Sequence, residues 1–211
     1  MRNLIIAGIL MSGMAASSPL LAQTSSTSSD EMAQLKQRVA QLEKQVQEIS
    51  QVLEPFQAEQ RMRAYRPRFE RRRAQDRDKY TEEQVREAES MYVAASEKWN
   101  SPEGAEGFEA LIKKYPDVNR AGCAALDHAA SSQAEERAKY LRLCIEKYSD
   151  CFYGDGVQIG AFARFLLAED CRRQGEEKKA AALRAEIKAK YADAIDHRGN
   201  LLLDSIKAEG Q

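Results

Sequence analysis

The chain has 211 residues, of which 43% are hydrophobic and 31% are charged, and its formal net charge is −1 at pH 7. This length supports one modest core with additional segments and excludes two full-sized domains. Only five prolines are present, and alanine, leucine and long charged residues are abundant, as is typical of helical proteins.

Four cysteines and two histidines restrict the chemistry that the chain can perform. No C-x-x-C motif occurs, so the usual motif of thioredoxin-like redox centres and of covalent haem attachment is missing. Two histidines are also too few to favour a Cys/His zinc site. We therefore predict no metal-ligating residue and no cofactor.

The first 22 residues have the layout of a secretion signal. Arg2 provides a positive start, residues 4–14 form an apolar run, and Ala22 before Gln23 fits a cleavage site. The run is short for a membrane-spanning helix, although an uncleaved anchor is the alternative interpretation. No cysteine follows the run, which argues against a lipoprotein, so a periplasmic or secreted product is predicted.

Residues 23–30 are rich in serine and threonine and predict a flexible leader. In residues 31–57, apolar residues then recur at alternating steps of three and four, which is the a/d heptad pattern of a coiled coil. We call these residues the seam: Met32, Leu35, Val39, Leu42, Val46, Ile49, Leu53 and Phe56.

Charged residues flank the seam in a pattern that favours self-association. With Met32 at position a, the g and e positions carry Glu31 with Lys36, then Arg38 with Glu43. Pairs of opposite charge suit contacts between the helices of a parallel oligomer. The alternative is an amphipathic helix folded back onto its own domain, but its other faces are too hydrophilic for burial. A homo-oligomer is predicted, with dimer and trimer both open.

Residues 58–79 are strongly basic, with nine basic and three acidic side chains from Arg61 to Lys79. Pro55 and Pro67 are expected to bracket the end of the preceding helix, so this composition predicts a solvated, self-repelling linker. The alternative is a basic surface for anionic glycan, lipid headgroups or an acidic partner. Its candidate residues are Arg66, Arg68, Arg71, Arg72 and Arg73. Because the chain carries an export signal, nucleic acid is not a predicted partner.

Residues 80–211 have the pattern of antiparallel helices. Thr81 and Gln84 form a capping box at the start of the first helix. Ser101 and Pro102 mark the start of the second, since serine is a favoured N-cap and proline suits the first helical turn.

Three near copies of one tetrad recur in this domain, at residues 114–117, 147–150 and 190–193. Their tyrosines are 33 and 43 residues apart, and the first spacing is close to the tetratricopeptide period. An apolar helix precedes each tetrad, and a glycine-punctuated helix start follows it. The pattern predicts an all-α stack of helical hairpins with the tetrad tyrosines in the core.

The succession of an export signal, a coiled coil and these tyrosine-centred repeats resembles a family of tetratricopeptide-repeat periplasmic proteins, the Tol-Pal-associated coordinators of cell division. It is also similar to outer-membrane assembly factors of the tetratricopeptide class. The resemblance covers roughly residues 31–206. It implies a scaffold or adaptor in the cell envelope that binds a protein or peptide partner.

The loop that follows the second tetrad has the sequence Cys-Phe-Tyr-Gly-Asp-Gly, residues 151–156. One interpretation is that Asp155 caps the next helix, near Val157, and that the glycines provide turn geometry. The other is that Phe152, Tyr153 and Asp155 line a recognition patch, and these three are the predicted partner-binding residues.

The four cysteines all lie in the helical domain, and in an oxidising compartment an even number permits disulfides. We predict one disulfide, between Cys151 and either Cys123 or Cys144, with Cys171 unpaired. Cys144 occupies the position of Leu111 in the preceding repeat, so burial is its default.

Nothing in the sequence specifies a catalytic site, since the common hydrolase, metalloprotease and phosphate-loop motifs are missing. Asp127 and His128 could serve a nucleophile, but no motif places one, and His128 is interpreted as a surface residue. The prediction is an exported, non-enzymatic scaffold that self-associates through its coiled coil. A structural envelope protein whose arginine-rich segment binds anionic glycan or lipid is the alternative.

Overall fold

The computed structural model describes the backbone of residues 24–208 and the side chains of residues 31–206. Within this range the protein is all-α, as predicted, and has no strand. The predicted signal peptide, residues 1–22, lies outside the described residues. The chain divides into two compact units, with the boundary between Val52 and Leu53.

Eight helices make up the described range, and none of them combines the length and the hydropathy needed to cross a membrane. Their bounds are α1 Thr24–Asp76, α2 Glu82–Ser96, α3 Pro102–Lys114, α4 Asn119–Ser131, α5 Ala134–Glu146, α6 Ile159–Arg173, α7 Glu177–Lys190 and α8 Leu202–Ala208.

α1 has 53 residues and differs from the prediction at both ends. It begins at Thr24, inside the segment expected to be a flexible leader, because extending an established helix costs much less than nucleating one. It also continues through Pro55 and Pro67. Each proline removes one backbone hydrogen bond, but both prolines are exposed, so water can reach the freed carbonyl.

The basic segment is not the solvated linker that its charge predicted. It is helical as far as Asp76 and belongs to the second unit. Ala58, Met62, Tyr65 and Phe69 recur at helical spacing along it; Ala58 and Phe69 are buried, and Met62 and Tyr65 pack against the core. One apolar face is enough to hold a helix on a domain, even when its other faces are charged.

Both predicted helix caps are confirmed. The Thr81 hydroxyl accepts from the backbone N–H of Gln84 at 3.3 Å, and the Gln84 side chain accepts from the N–H of Thr81 at 2.9 Å. Ser101 accepts from the N–H of Gly104 at 3.2 Å. A Cβ at Gly104 would lie 2.1 Å from the carbonyl oxygen of Lys98, so glycine allows α3 to turn back closely on α2.

In helices α2 to α8 each helix contacts the next, and α4 also contacts both α2 and α6. α4 is therefore the central element, and every residue from Ala121 to Leu126 is buried. Small side chains dominate this run, so neighbours can approach α4 from several sides. Phe108, Leu141 and Tyr148 complete the core around it.

The 43-residue spacing of the last two tetrads is a structural repeat. A loop follows each of these tetrads, and two backbone hydrogen bonds of 2.9–3.0 Å close each loop. Each loop also contains a glycine with a positive φ angle, Gly156 at +94° and Gly199 at +82°. The bonds run from Tyr153 to Val157 and from Ile159 to Cys151 in the first loop, and from Asp196 to Asn200 and from Leu202 to Ala194 in the second.

Candidate functional site

The seam is exposed along its whole length. Six of its residues, from Met32 to Ile49, belong to the first unit, and Leu53 and Phe56 belong to the second. Each of the eight side chains is 45–62% exposed. An exposed apolar row at heptad spacing is what a coiled-coil helix presents before it pairs.

Three of the five arginines predicted as a basic patch form ion pairs inside the second unit. These pairs are Arg68–Asp193 at 2.5 Å, Arg72–Asp76 at 2.6 Å and Arg73–Glu89 at 3.7 Å. Arg66 and Arg71 are exposed and have no ion pair within residues 31–206. The patch that a ligand could use is therefore reduced to these two side chains.

Arg72 and Asp76 join the end of α1 to the start of α4. The two carboxylate oxygens of Asp76 lie 3.0 and 3.1 Å from the backbone N–H of Asn119, which donates to them. Arg72 donates to Asp76 and, at 3.0 Å, to the carbonyl of Asp117. Burial raises the pKa of Asp76, although the hydrogen bonds from Asn119 and the charge of Arg72 act against the shift.

Two of the three predicted partner-binding residues are held by α4. Tyr153 is buried, and its hydroxyl donates to Asp127 at 2.5 Å, so its side chain is not available as a contact surface. Phe152 is half-buried, and its backbone carbonyl and N–H bond to the side-chain amide of Asn119 at 2.8 and 2.9 Å. Packing against α4 thus fixes the loop in place.

Asp155 is the third predicted partner-binding residue. It does not cap α6, which begins at Ile159. One of its oxygens accepts from the N–H of Val157 at 3.2 Å, which shapes a turn within the loop. The other lies 2.7 Å from Nδ1 of His197 in the equivalent loop. The hydrogen bond to Asp155 raises the pKa of His197, so the contact links the two loops most strongly when the imidazole is charged.

Asp127 does not orient His128, contrary to the catalytic hypothesis for this pair. Its two oxygens accept from the hydroxyls of Tyr92 at 2.7 Å and Tyr153 at 2.5 Å. Burial raises the pKa of Asp127 and of both tyrosines. The carboxyl group therefore satisfies the hydroxyls of the half-buried Tyr92 and the buried Tyr153 and has a structural role.

All four cysteines are buried free thiols. The predicted disulfide of Cys151 with Cys123 or Cys144 is not formed, whereas the predicted burial of Cys144 is confirmed. Burial raises the pKa of these three thiols, which keeps them protonated and unreactive. They act as small core residues around α4.

His128 is not the surface residue that was predicted, since it is only 2% exposed. Its ring stacks on Tyr140, with the ring centroids 4.0 Å apart, and its Nδ1 lies 2.9 Å from the hydroxyl of Ser132. Its Nε2 is buried and has no hydrogen-bond partner among the described residues. The nearest acidic oxygen, on Glu109, is 3.6 Å away, which is too long for a hydrogen bond.

His128 lines a cavity of about 470 Å³ formed by the α2–α3 turn, the α4–α5 turn and the adjoining ends of α3, α4 and α5. Glu106, Glu109 and Glu136 also line it, and no lysine or arginine of the described range does. Trp99, which is 41% exposed, lies at the same cavity. The cavity therefore combines negative charge, one exposed aromatic ring and a buried imidazole nitrogen without a partner.

Ser132 places a hydroxyl group beside His128, although no sequence motif predicted this contact. A serine nucleophile needs a base that is itself oriented by a third group through a hydrogen bond. Nε2 of His128 makes no such bond, so the contact with Ser132 orients the ring without assembling a nucleophilic site.

Sequence reasoning missed this cavity because its residues come from three helices. Glu109, His128 and Glu136 lie on α3, α4 and α5, and no local motif joins them. The available signal was the uncharged run of residues 121–126, which indicates a buried helix and hence a buried histidine.

Neither a protein-family model, a curated protein nor a solved structure matches the chain.

Proposed function

We propose that this protein is an exported scaffold or adaptor of the cell envelope, which self-associates through the seam and binds a protein or peptide partner through its helical repeats. The exposed seam carries the proposal. Its eight apolar side chains remain 45–62% exposed in a single copy of the chain. Pairing with a second copy would remove this surface from water, which is the dominant favourable term in protein association.

The charges beside the seam support a parallel arrangement. Glu31, Lys36, Arg38 and Glu43 are exposed and form no ion pair within residues 31–206. In a parallel pair of helices each g position faces an e position of the partner, so these residues meet with opposite charge.

The cavity beside Trp99 is the best candidate for the partner-binding surface. Exposed tryptophans at the edge of a pocket are frequent energetic centres of protein interfaces, whereas Tyr153 of the predicted patch is buried. The stacked hairpins, the tyrosine-centred repeats and the apolar N-terminal run support a role similar to that of tetratricopeptide-repeat envelope proteins.

Sedimentation of the mature chain, residues 23–211, tests self-association. A fragment beginning at Tyr80 is unsuitable because the second unit begins at Leu53. We expect the wild type to sediment as a dimer or trimer and the double variant Leu42→Glu/Ile49→Glu as a monomer, since two charges at d positions cannot be buried without a partner.

The matched control is Gln37→Glu/Gln51→Glu, which adds the same charge at f positions on the outer face of the helix. This variant should keep the oligomer. A wild type that is monomeric at all concentrations, or a seam variant that still associates, would exclude the proposed role of the seam.

The alternative function, binding of anionic glycan or lipid, depends on Arg66 and Arg71, which remain exposed. If it is right, the wild type binds vesicles that contain anionic lipid, and binding weakens steeply with salt. Arg66→Ser/Arg71→Ser would then abolish binding. A scaffold that acts through the seam and the repeats shows no such vesicle binding at physiological salt.

A further inference from the structure

Three potential metal-ligating side chains meet in the cavity beside Trp99. They are Glu109 on α3, His128 on α4 and Glu136 on α5, and each offers one ligand atom. These three atoms all lie within 4.8 Å of one another. Zinc ligands at bond lengths of about 2.0–2.2 Å in a tetrahedral arrangement are about 3.3 Å apart. Both glutamates are exposed, so their side chains are free to rotate and bring the two carboxylate oxygens closer to the imidazole nitrogen.

The decisive observation is the unpartnered Nε2 of His128. The side chain is 98% buried by area, and Nε2 is inaccessible to solvent and has no hydrogen-bond partner within residues 31–206. Buried polar atoms are almost always paired, and an exception calls for a specific explanation. A metal ion bound to this nitrogen provides one, because the lone pair of Nε2 then coordinates the ion.

The surroundings of the ring prepare Nε2 as a ligand. When Nδ1–H donates to the Ser132 hydroxyl at 2.9 Å, the lone pair is left on Nε2. Metal-bound histidines usually donate their other ring N–H to such a group, which fixes the tautomer and the ring orientation. Stacking on Tyr140 holds the ring plane, and the Tyr140 hydroxyl donates to the Glu109 oxygen at 2.7 Å.

The charge of the cavity selects a cation. Glu106, Glu109 and Glu136 line it, and no lysine or arginine does. One nitrogen and two carboxylate oxygens form a donor set that suits late first-row divalent ions, whereas calcium and magnesium prefer oxygen alone. Three protein ligands also leave a fourth position open, as in zinc sites that exchange a water or an external ligand.

We propose that Glu109, His128 and Glu136 bind one divalent transition-metal ion of the zinc class, with an open coordination position toward the cavity. The site uses no cysteine, and all three ligands come from one copy of the chain. Metal binding is therefore independent of self-association through the seam, and the monomeric Leu42→Glu/Ile49→Glu variant should bind the ion as the wild type does.

Calorimetric titration of the metal-free mature chain with zinc chloride tests the site. We expect one ion per chain, and at least about a tenfold loss of affinity in Glu109→Gln and in Glu136→Gln, because even residues that only support a metal ligand contribute 10- to 100-fold. Tyr140→Phe keeps the stacked ring and removes the bond to Glu109, so a loss of about tenfold is expected.

Two matched variants control for non-specific binding. Glu135→Gln removes the neighbouring exposed glutamate, and His197→Asn removes the only other histidine; both should bind zinc like the wild type. Cobalt chloride gives a second readout, because a Co²⁺ ion bound in a four-coordinate site absorbs visible light.

The proposal is overturned if zinc does not bind, or if it binds equally well to Glu109→Gln and Glu136→Gln. It is also overturned if His197→Asn alone abolishes binding. In any of these cases the buried imidazole of His128 is a structural element that stacks on Tyr140 and contacts Ser132.

Discussion

The two units of this protein use regularly spaced apolar residues in opposite ways. In the second unit α3 and α5 bury them, and Phe108, Leu111 and Leu141 are completely inaccessible. In the first unit α1 leaves the seam from Met32 to Ile49 exposed. The core is complete within one chain and determines folding, whereas the exposed row is the surface for which we propose a role in association. Each of the following variants tests which of these roles a residue has.

Two phenylalanines of α1 give the largest expected contrast, because Phe69 is 6% exposed and Phe56 is 62% exposed. Phe69→Ala should lower the free energy of unfolding by about 4 kcal/mol, since it leaves a cavity in a packed core. Phe56→Ala should change it by less than about 0.5 kcal/mol. Urea denaturation in the Leu42→Glu/Ile49→Glu background measures both without a contribution from association.

A loss of less than about 0.5 kcal/mol for Phe69→Ala would contradict the packing of residues 58–76 against the core of the second unit. A loss at Phe56 alone would place the apolar contact of this unit on the seam face of α1.

Adjacent arginines give the next contrast. Arg72→Ser should cost about 3 kcal/mol, because it leaves the buried carboxylate of Asp76 without its charged partner. Arg71→Ser removes an exposed side chain and should cost less than about 0.5 kcal/mol. The same denaturation experiment measures both. If neither variant loses stability, the basic segment does not pack through its ion pairs.

Two glycines with positive φ angles separate backbone strain from packing. Gly199 (φ +82°) would place a Cβ 2.4 Å from the carbonyl oxygen of Ala58 on α1, whereas Gly175 (φ +75°) has open space around it. Gly175→Ala should cost about 1 kcal/mol for the backbone alone. Gly199→Ala should cost about 2 kcal/mol or more, by thermal or urea unfolding. Equal costs would mean that α1 does not rest on this loop.

The contact between His197 and Asp155 should have the smallest effect, because both side chains are substantially exposed. Its hydrogen bond raises the pKa of His197 above the ordinary value of 6.5. The stabilisation is therefore complete below about pH 6.5 and is lost as the pH rises through the raised value.

We expect the wild type to lose up to about 1 kcal/mol of stability between about pH 6 and about pH 9, relative to Asp155→Asn. The asparagine keeps an oxygen for the N–H of Val157 but carries no charge. A wild type and variant with parallel pH profiles would show that this ion pair contributes nothing.

The features that the sequence predicted correctly depend on neighbours in the chain. The caps at Thr81 and Ser101 bond to residues three positions away, and the tetrads recur with their surrounding helices. Such local rules are sufficient for an all-α stack and for the start of α2 and α3.

The features that it missed depend on distant partners. Arg68 meets Asp193, which lies 125 residues further along the chain, so the basic segment looked solvated although it is anchored. The steps between Ala58, Met62, Tyr65 and Phe69 were the local sign of a packed helix. The meeting of His128 with two glutamates requires the register of three helices, which no local pattern contains.

Oxidative crosslinking of residues 23–211 carrying Leu35→Cys tests the proposed pairing of the seam most directly. In a parallel, in-register pair the two introduced cysteines face each other within the span of a disulfide, while the native cysteines are buried and contribute only background. We predict disulfide-linked dimers from Leu35→Cys and background levels from Gln37→Cys on the outer face. Background levels from both variants would contradict the account.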